Sequence, residues 1–235
     1  MAIKRHIPNT ITCCNLFSGC IACVMALEGS FTTALLFIVL GATFDFFDGM
    51  VARLLKVSSP LGLQMDSLAD DVTFGLAPAA IVFSFMRTLP LPAFLLPVAD
   101  YLPYYAFLIA VFSAVRLAKF NIDTRQKSTF IGLPTPANAL FWASLVAGLG
   151  NWITELNAGW FFMMGLITLF SYLLVSNIPM FSLKFKSLRW RSNKIRYIFL
   201  MCSIPMFVLG IGAAVAIIAW YLTLSTALYI RKNMA

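Results

Sequence analysis

Five aspartates lie in or beside two strongly apolar stretches of this chain, where a membrane protein rarely carries charge. They make up more than half of its nine acidic residues and are Asp45, Asp48, Asp66, Asp70 and Asp71. An ionised carboxylate near the centre of a bilayer costs about 3 kcal/mol even on lenient insertion scales. Carboxylates kept at that cost usually face a polar cavity and serve a function. The two stretches are therefore predicted to hold a polar site within a membrane.

The composition excludes a soluble domain. Of the 235 residues, 61% are hydrophobic and 11% are charged, whereas soluble proteins are about 45–50% apolar and about 25% charged. A spanning helix needs about 20 mainly apolar residues. Eight candidate spans are found near residues 9–28, 31–53, 67–86, 101–118, 136–153, 159–179, 195–210 and 212–230. We therefore predict an all-α integral membrane protein that forms one polytopic domain over residues 1–235.

The distribution of basic residues predicts the orientation of the chain. If the N-terminus is inside and the eight spans alternate, every one of the 17 lysines and arginines except Arg87 lies on the inside. This bias follows the positive-inside rule and predicts a protein of the cell (inner) membrane with both termini in the cytoplasm. The net charge of +8 then reflects topology and attraction to anionic membrane lipids, so nucleic acid is not a predicted partner.

The acidic residues are spaced to form two helix faces. The first face has spacing i, i+3, i+4, i+7 and consists of Asp45, Asp48, Gly49 and Ala52. Asp66 and Asp70, four residues apart, share a face of the next helix. Because a short loop joins these helices, we expect them to lie antiparallel with their carboxylates converging. Asp45 precedes Arg53 by eight residues, or about 12 Å at 1.5 Å per residue, so the pocket is predicted to open to the cytoplasm.

A cluster of carboxylates without His or Cys is typical of a site for hard cations, such as Mg²⁺, Mn²⁺ or Ca²⁺. Two such ions would largely neutralise the cluster and could bridge a diphosphate. Gly49 and Ala52 leave room for a bulky ligand, and Arg53 is placed to bind phosphate oxygens. Two alternatives remain open: carboxylates that pair with Arg53, Lys56 or Arg116 to join helices, and an ion-coupled transporter.

Residues 45–70 match the pattern D-x-x-D-G-x-x-A-R-x(8)-G-x-x-x-D-x-x-x-D, which resembles the signature of the CDP-alcohol phosphotransferase family. The resemblance implies a homodimeric membrane enzyme that transfers a phosphatidyl group from CDP-diacylglycerol to an alcohol and releases CMP. It also implies two divalent ions held by four aspartates, namely Asp45, Asp48, Asp66 and Asp70. Asp70 would also be the general base, while Gly49 and Arg53 would contact the nucleotide and the diphosphate.

Three further residues are implied as CDP-lipid contacts. Asn9 and Thr12 resemble the beginning of the family's first helix, which contributes to the nucleotide pocket; an ordinary helix N-cap is the alternative. Ser59 occupies a position where the family often has a hydroxyl near the phosphates, although it could equally be an ordinary loop serine. With Gly49, Ala52 and Arg53, these residues complete the expected binding set.

Three stretches resemble the branch of the family that uses L-serine as the acceptor alcohol: residues 66–78, 116–121 and 130–136. Lys119 departs from that pattern, which more often has arginine there. The resemblance covers residues 8–137, and the helices over 136–230 carry little of it.

A serine acceptor brings a carboxylate, and Arg116 on the inner side is a cation that could bind it. Asn121 could bind the amine or the carboxylate. The alternatives are that Arg116 only anchors topology and that Asn121 is a turn residue. Glycerol 3-phosphate or inositol remains an alternative acceptor, although a phosphorylated acceptor would need more cations than Arg116 and Lys119.

Overall fold

The computed structural model describes residues 2–123, 130–181 and 190–234. Its α-helices are α1 (Ala2–Leu27), α2 (Phe31–Leu55), α3 (Pro60–Asp70), α4 (Ala77–Met86), α5 (Leu108–Ile122), α6 (Thr135–Glu155), α7 (Gly159–Val175), α8 (Trp190–Ser203) and α9 (Ala213–Met234). A π-helical segment, Asp71–Leu76, joins α3 to α4, and 3₁₀ segments cover Ala93–Val98, Leu102–Phe107 and Pro205–Gly212. The predicted all-α architecture is confirmed, apart from a short antiparallel pair, β1 (Phe130–Ile131) with β2 (Pro179–Met180).

Several helices are long and apolar enough to cross a membrane, which makes this a multi-pass membrane protein. Within the described ranges, five stretches meet that criterion: His6–Leu27, Phe31–Leu55, Pro60–Met86, Leu102–Ile122 and Pro205–Arg231. A shorter apolar helix, Gly159–Val175, joins them. The predicted count of eight is not confirmed.

Helix α6, which contains the predicted span 136–153, is not among those apolar stretches even though it is 21 residues long. It packs against α2, α4, α7 and α9, and its buried face includes Asn138 and Ser144. A helix enclosed by other helices has little contact with lipid and can carry polar groups that lower its hydropathy.

The chain between 195 and 230 breaks close to the predicted boundary. Helix α8 ends at Ser203, a 3₁₀ segment follows from Pro205, and α9 begins at Ala213. Within the 3₁₀ segment, Gly210 has φ +58° and ψ −126°, which is not helical. Glycine adopts a positive φ without steric cost, so the helical geometry is interrupted at Gly210, next to the boundary predicted at residue 211.

Local sequence features explain where some of the first three membrane helices begin or end. Gly29, with φ +76°, closes the turn between α1 and α2. The third helix begins at Pro60, earlier than the predicted span at 67, because Ser59 caps it: Gly62 N–H donates to Ser59 Oγ at 2.9 Å. Proline at the first helical position and serine as N-cap both favour a helix start.

The π segment lies very close to α1 and α2. Thr73 Oγ1 donates to the Asn15 carbonyl at 3.1 Å. A Cβ on Gly19 would lie 2.4 Å from Thr73 Oγ1 and 2.9 Å from Thr73 Cα, and a Cβ on Gly41 would lie 2.6 Å from Thr73 Cγ2. Only glycine allows the three backbones to approach this closely, and the approach holds the end of α3 beside α1.

Gly19→Ala is therefore expected to lower the free energy of unfolding by about 1–3 kcal/mol, the usual cost of overpacking, because the Thr73 backbone cannot yield. The measurement is the thermal unfolding midpoint of the purified protein in detergent. Gly165→Ala is the matched control, since a Cβ there meets nothing within 4 Å. That variant should be neutral or slightly more stable. Equal midpoints for the two variants would contradict the packing argument.

Candidate active site

Helices α1, α2 and α3 form an open cleft of about 210 Å³. Helix α1 packs against both of the others, whereas α2 and α3 are not closely packed against each other. The two helices predicted to lie side by side therefore face each other across an opening with α1 behind it. The lining residues are Pro8, Asn9, Thr12, Asp48, Gly49, Ala52, Val57, Ser58, Ser59, Gly62, Leu63 and Asp66.

Three aspartates meet at this cleft. Asp45, Asp48 and Asp66 each offer a carboxylate oxygen, and these oxygens lie within 4.8 Å of one another. Helix α2 supplies the first two residues from successive turns, and α3 supplies the third. Asp48 is only 5% exposed. We refer to Asp45, Asp48 and Asp66 as the carboxylate triad.

Asp70, the fourth predicted ligand, lies next to the triad rather than within it. It interacts electrostatically with all three members, but it is not part of the group whose oxygens lie within 4.8 Å. Its Oδ1 accepts a hydrogen bond from Asn15 Nδ2 at 3.2 Å. A side-chain hydrogen bond also joins Asp70 to Asp45, so the structure brings the four predicted ligands together, with Asp70 at the edge of the triad.

Helix α1 orients two of the acidic side chains. Thr12 Oγ1 donates to Asp48 Oδ2 at 2.6 Å, and Asn15, one turn further along, donates to Asp70. Asn15 is completely buried. The sequence prediction included Thr12 but missed Asn15; the signal was a polar amide at the spacing of one helical turn after Thr12, on the same face.

The triad fits a divalent cation. Its donors are all carboxylate oxygens, which hard cations prefer. Two of the cations in the helix-joining alternative have other hydrogen-bond acceptors: Arg53 donates to the Gly49 carbonyl and Arg116 to Thr135, which favours a cation site over a purely structural role for the triad. Like charges this close repel strongly in a region of low dielectric constant, and a bound cation would remove that repulsion.

Five of the six residues predicted to bind the CDP-lipid line the cleft: Asn9, Thr12, Gly49, Ala52 and Ser59. The N-cap alternative for the first two is wrong, because α1 begins at Ala2 and both lie inside it.

Ser59 has two structural roles, since it lines the cleft and is also the N-cap of α3.

Arg53, the sixth of these residues, is exposed and does not line the cleft. Its Nε donates to the Gly49 carbonyl of the same helix at 2.9 Å. Binding of phosphate by Arg53 would therefore require its side chain to leave this contact.

The two residues predicted to bind serine lie on α5. Arg116 is 8% exposed and lines a second recess of about 350 Å³ together with Lys119 and Asn177. Its Nη1 donates to Thr135 Oγ1 at 3.2 Å. Arg116 also interacts electrostatically with Asp70, which links the second recess to the acidic site.

Asn121 is exposed, and its Nδ2 donates to Ser67 Oγ at 2.8 Å. This bond ties the end of α5 to the middle of α3. Asn121 is therefore a bridge between helices in this structure, rather than the turn residue of the alternative interpretation, because it lies within α5.

Comparison with known proteins identifies the family. Residues 5–171 match the family described as CDP-alcohol phosphatidyltransferase. Three similar proteins share the name CDP-diacylglycerol–serine O-phosphatidyltransferase. The Bacillus subtilis protein is 39% identical over 133 residues, 56% of this chain and 70% of the relative. A Helicobacter pylori protein is 33% identical over 196 residues, 78% and 74% of the two chains. A Mycobacterium tuberculosis protein is 33% identical over 229 residues, 92% and 72% of the two chains.

The family match spans the helices that carry the acidic residues and continues into α7, and each of these relatives is matched over more than two thirds of its own length. The chain therefore belongs to the CDP-alcohol phosphatidyltransferase family.

Proposed function

We propose that this protein transfers the phosphatidyl group of CDP-diacylglycerol to L-serine and produces phosphatidylserine and CMP. The observation that carries the proposal is the carboxylate triad at an open cleft between α1, α2 and α3. Family membership supports a transferase over the ion-coupled transporter. The names of the relatives support serine over glycerol 3-phosphate or inositol.

The triad and Asp70 form the proposed metal site, with Mg²⁺ or Mn²⁺ as the preferred ions and Ca²⁺ as a further candidate. Two divalent ions held there would neutralise the diphosphate and stabilise negative charge on the departing CMP. Asn9, Thr12, Gly49, Ala52 and Ser59 provide the surface for the nucleotide, and Gly49, with open space where a Cβ would lie, allows close approach. Arg53 swings from the Gly49 carbonyl to the phosphates.

Asp70 is the proposed general base. It accepts the proton of the serine hydroxyl, and the serine oxygen attacks the lipid-side phosphorus while the bond from that phosphorus to CMP breaks. The hydrogen bond from Asn15 orients its carboxylate, and the electrostatic contact with Arg116 relates it to the acceptor side. The contact with Arg116 supports a role on the acceptor side in addition to metal binding.

The positive-inside pattern supports a cell (inner) membrane enzyme whose cleft opens to the cytoplasm. Arg53, Lys56 and Ser59 lie at that end of α2 and α3, where a soluble acceptor and CMP can exchange. Resemblance to the family supports a homodimer.

The decisive experiment is acceptor-dependent CMP release from CDP-diacylglycerol by the purified protein in detergent micelles. L-serine, glycerol 3-phosphate and inositol are compared at equal concentrations with a divalent ion present. Release that depends on serine, with phosphatidylserine formed in equal amount, is the expected result. Release with another acceptor alone would reassign the acceptor, and no release with any acceptor would refute the transferase.

Arg116→Ala is expected to raise the KM for serine about ten- to a hundredfold while the KM for CDP-diacylglycerol changes little. Loss of a charge-assisted hydrogen bond to the serine carboxylate costs about 1.5–3 kcal/mol. Steady-state kinetics with each substrate varied in turn measure both constants. Arg87→Ala is the matched control, because Arg87 is an exposed arginine after α4 and should leave both constants unchanged. An unaltered serine KM in folded Arg116→Ala would assign Arg116 to topology.

A further inference from the structure

A recess of about 450 Å³ lies at the far end of a membrane span from the cleft. The span Pro60–Met86 begins next to Ser59, which lines the cleft, and ends at this recess. The end of α4, the beginning of α7 and the chain that leads to α5 form its walls. We refer to it as the Arg87 recess. Its charged residues are Arg87 and Asp100, and its aromatic residues are Phe83, Tyr104 and Trp160.

Packed aromatic rings give the Arg87 recess its shape. Trp160 is buried, and its Nε1 donates to the Leu89 carbonyl at 3.3 Å. This bond ties the beginning of α7 to the chain that follows α4. The ring of Phe83 lies beside that of Tyr104, with 5.2 Å between their centroids. The concave surface is therefore held by contacts between separate parts of the chain.

Opposite charges line the recess without pairing. Arg87 and Asp100 are both exposed, and no guanidinium nitrogen of Arg87 lies within 4.0 Å of a carboxylate oxygen of Asp100. The guanidinium instead lies over the Phe83 ring, 5.7 Å from its centroid. A guanidinium stacked on a ring keeps the N–H groups at its edge available for an anion. The recess thus offers one position for negative charge and a separate one for positive charge.

The chain beside the recess is suited to the membrane interface. The segment Ala93–Val98 is 3₁₀ rather than α-helical and contains Pro97. Phe94 is 72% exposed and Leu96 is 60% exposed, and apolar side chains exposed together are typical of a surface that contacts lipid. Arg87 is the only basic residue that the positive-inside pattern places on this face. A ligand of the recess therefore comes from the layer of lipid headgroups, with its acyl chains along these apolar side chains.

We propose that the Arg87 recess binds the headgroup of a zwitterionic phospholipid in the leaflet opposite the cleft. The headgroup carries a phosphate and a primary ammonium group. Arg87 binds the phosphate, and Asp100 binds the ammonium beside the ring of Tyr104, whose face attracts cations. Asp100 repels a second negative charge. Phosphatidylethanolamine has this pattern of charges, whereas phosphatidylglycerol has the phosphate without the ammonium. This site is independent of the proposed transfer reaction.

Lipid binding to the purified protein in detergent tests the site, and native mass spectrometry measures the bound lipid. Phosphatidylethanolamine should bind about fivefold more tightly than phosphatidylglycerol with the same acyl chains. This factor corresponds to about 1 kcal/mol, the contribution of one exposed ion pair. Equal affinity of the wild-type protein for the two lipids would refute the contact between Asp100 and the ammonium.

Two variants separate the two charges of the headgroup. Arg87→Gln should weaken binding of both lipids about fivefold, because both carry the phosphate. Asp100→Asn should weaken binding of phosphatidylethanolamine alone and so remove the preference between the lipids. Glu155→Gln is the matched control, because Glu155 is an exposed carboxylate at the end of α6 that does not line the recess. It should change neither affinity.

Two further measurements complete the test. The unfolding midpoint without added lipid should be the same in all three variants, because the substituted side chains are exposed. Affinities that stay unchanged in both Arg87→Gln and Asp100→Asn would show only non-specific lipid around the protein and overturn the proposal. Soluble phosphoethanolamine has the headgroup charges without acyl chains and should bind far more weakly than the lipid. If it binds as tightly, the recess holds a soluble phosphorylated amine and the lipid assignment is wrong.

Discussion

Replacing any one of Asp45, Asp48 or Asp66 with asparagine is expected to abolish serine-dependent CMP release. Each substitution removes one oxygen ligand and one negative charge from a group whose oxygens lie within 4.8 Å of one another. The remaining carboxylates cannot hold a divalent ion in the same geometry, and charge on the diphosphate is then left without compensation. The measurement is CMP release at saturating substrates, with Asp100→Asn as the charge-matched control that should retain activity.

Metal removal tests the same group without mutation. Excess chelator should stop CMP release, and added Mg²⁺ or Mn²⁺ should restore it. Full release in excess chelator would contradict a metal-dependent triad. A titration of Mn²⁺ binding to the purified protein adds a readout that does not depend on turnover, and the three asparagine variants should each bind Mn²⁺ far more weakly than the wild type.

Asp70→Asn is expected to lower kcat by about 10²–10⁴, the range attributed to a positioned general base, while binding of CDP-diacylglycerol stays within about tenfold. Three carboxylates, those of the triad, still remain for the ions in this variant. Single-turnover kinetics separate the chemical step from binding. An asparagine at this position also keeps a hydrogen-bond partner for Asn15, so the fold should be little affected.

The comparison with Asp45→Asn is the control for the role of Asp70. Loss of Asp45 should impair Mn²⁺ binding and turnover together, whereas loss of Asp70 should impair turnover far more than Mn²⁺ binding. If both variants lose binding and turnover by similar factors, Asp70 is chiefly a metal ligand and the base lies elsewhere.

The placement of the carboxylates follows from helical periodicity, and this is why it could be predicted. Asp45 and Asp48 recur at three-residue spacing on an apolar helix, and Asp66 follows after a loop too short to separate the two helices widely. Because burial of a charge in lipid is costly, the acidic faces of α2 and α3 are expected to point toward each other.

The details of individual side chains did not follow from spacing. Arg53 occupies the arginine position of the signature, yet its guanidinium donates a hydrogen bond to the Gly49 carbonyl of its own helix. Asp70 follows Asp66 at helical spacing, but its hydrogen bonds with Asn15 of α1 and Asp45 of α2 come from tertiary packing. The end of α2 and the beginning of α3 differ from the hydropathy prediction, because hydropathy averages over a window whereas a cap such as Ser59 acts at one residue.

The sequence by itself determined that this is a helical membrane protein with an acidic site, suited to metal ions, on α2 and α3. Composition and local periodicity carry this information because they depend only on residues that are neighbours in the chain. Only the tertiary structure decided that α1 lies behind the cleft, that Thr12 and Asn15 orient the acids, and that Arg116 of α5 interacts with Asp70. These features depend on contacts between residues more than 30 positions apart, which arise from the packing of whole helices and leave no local pattern in the chain.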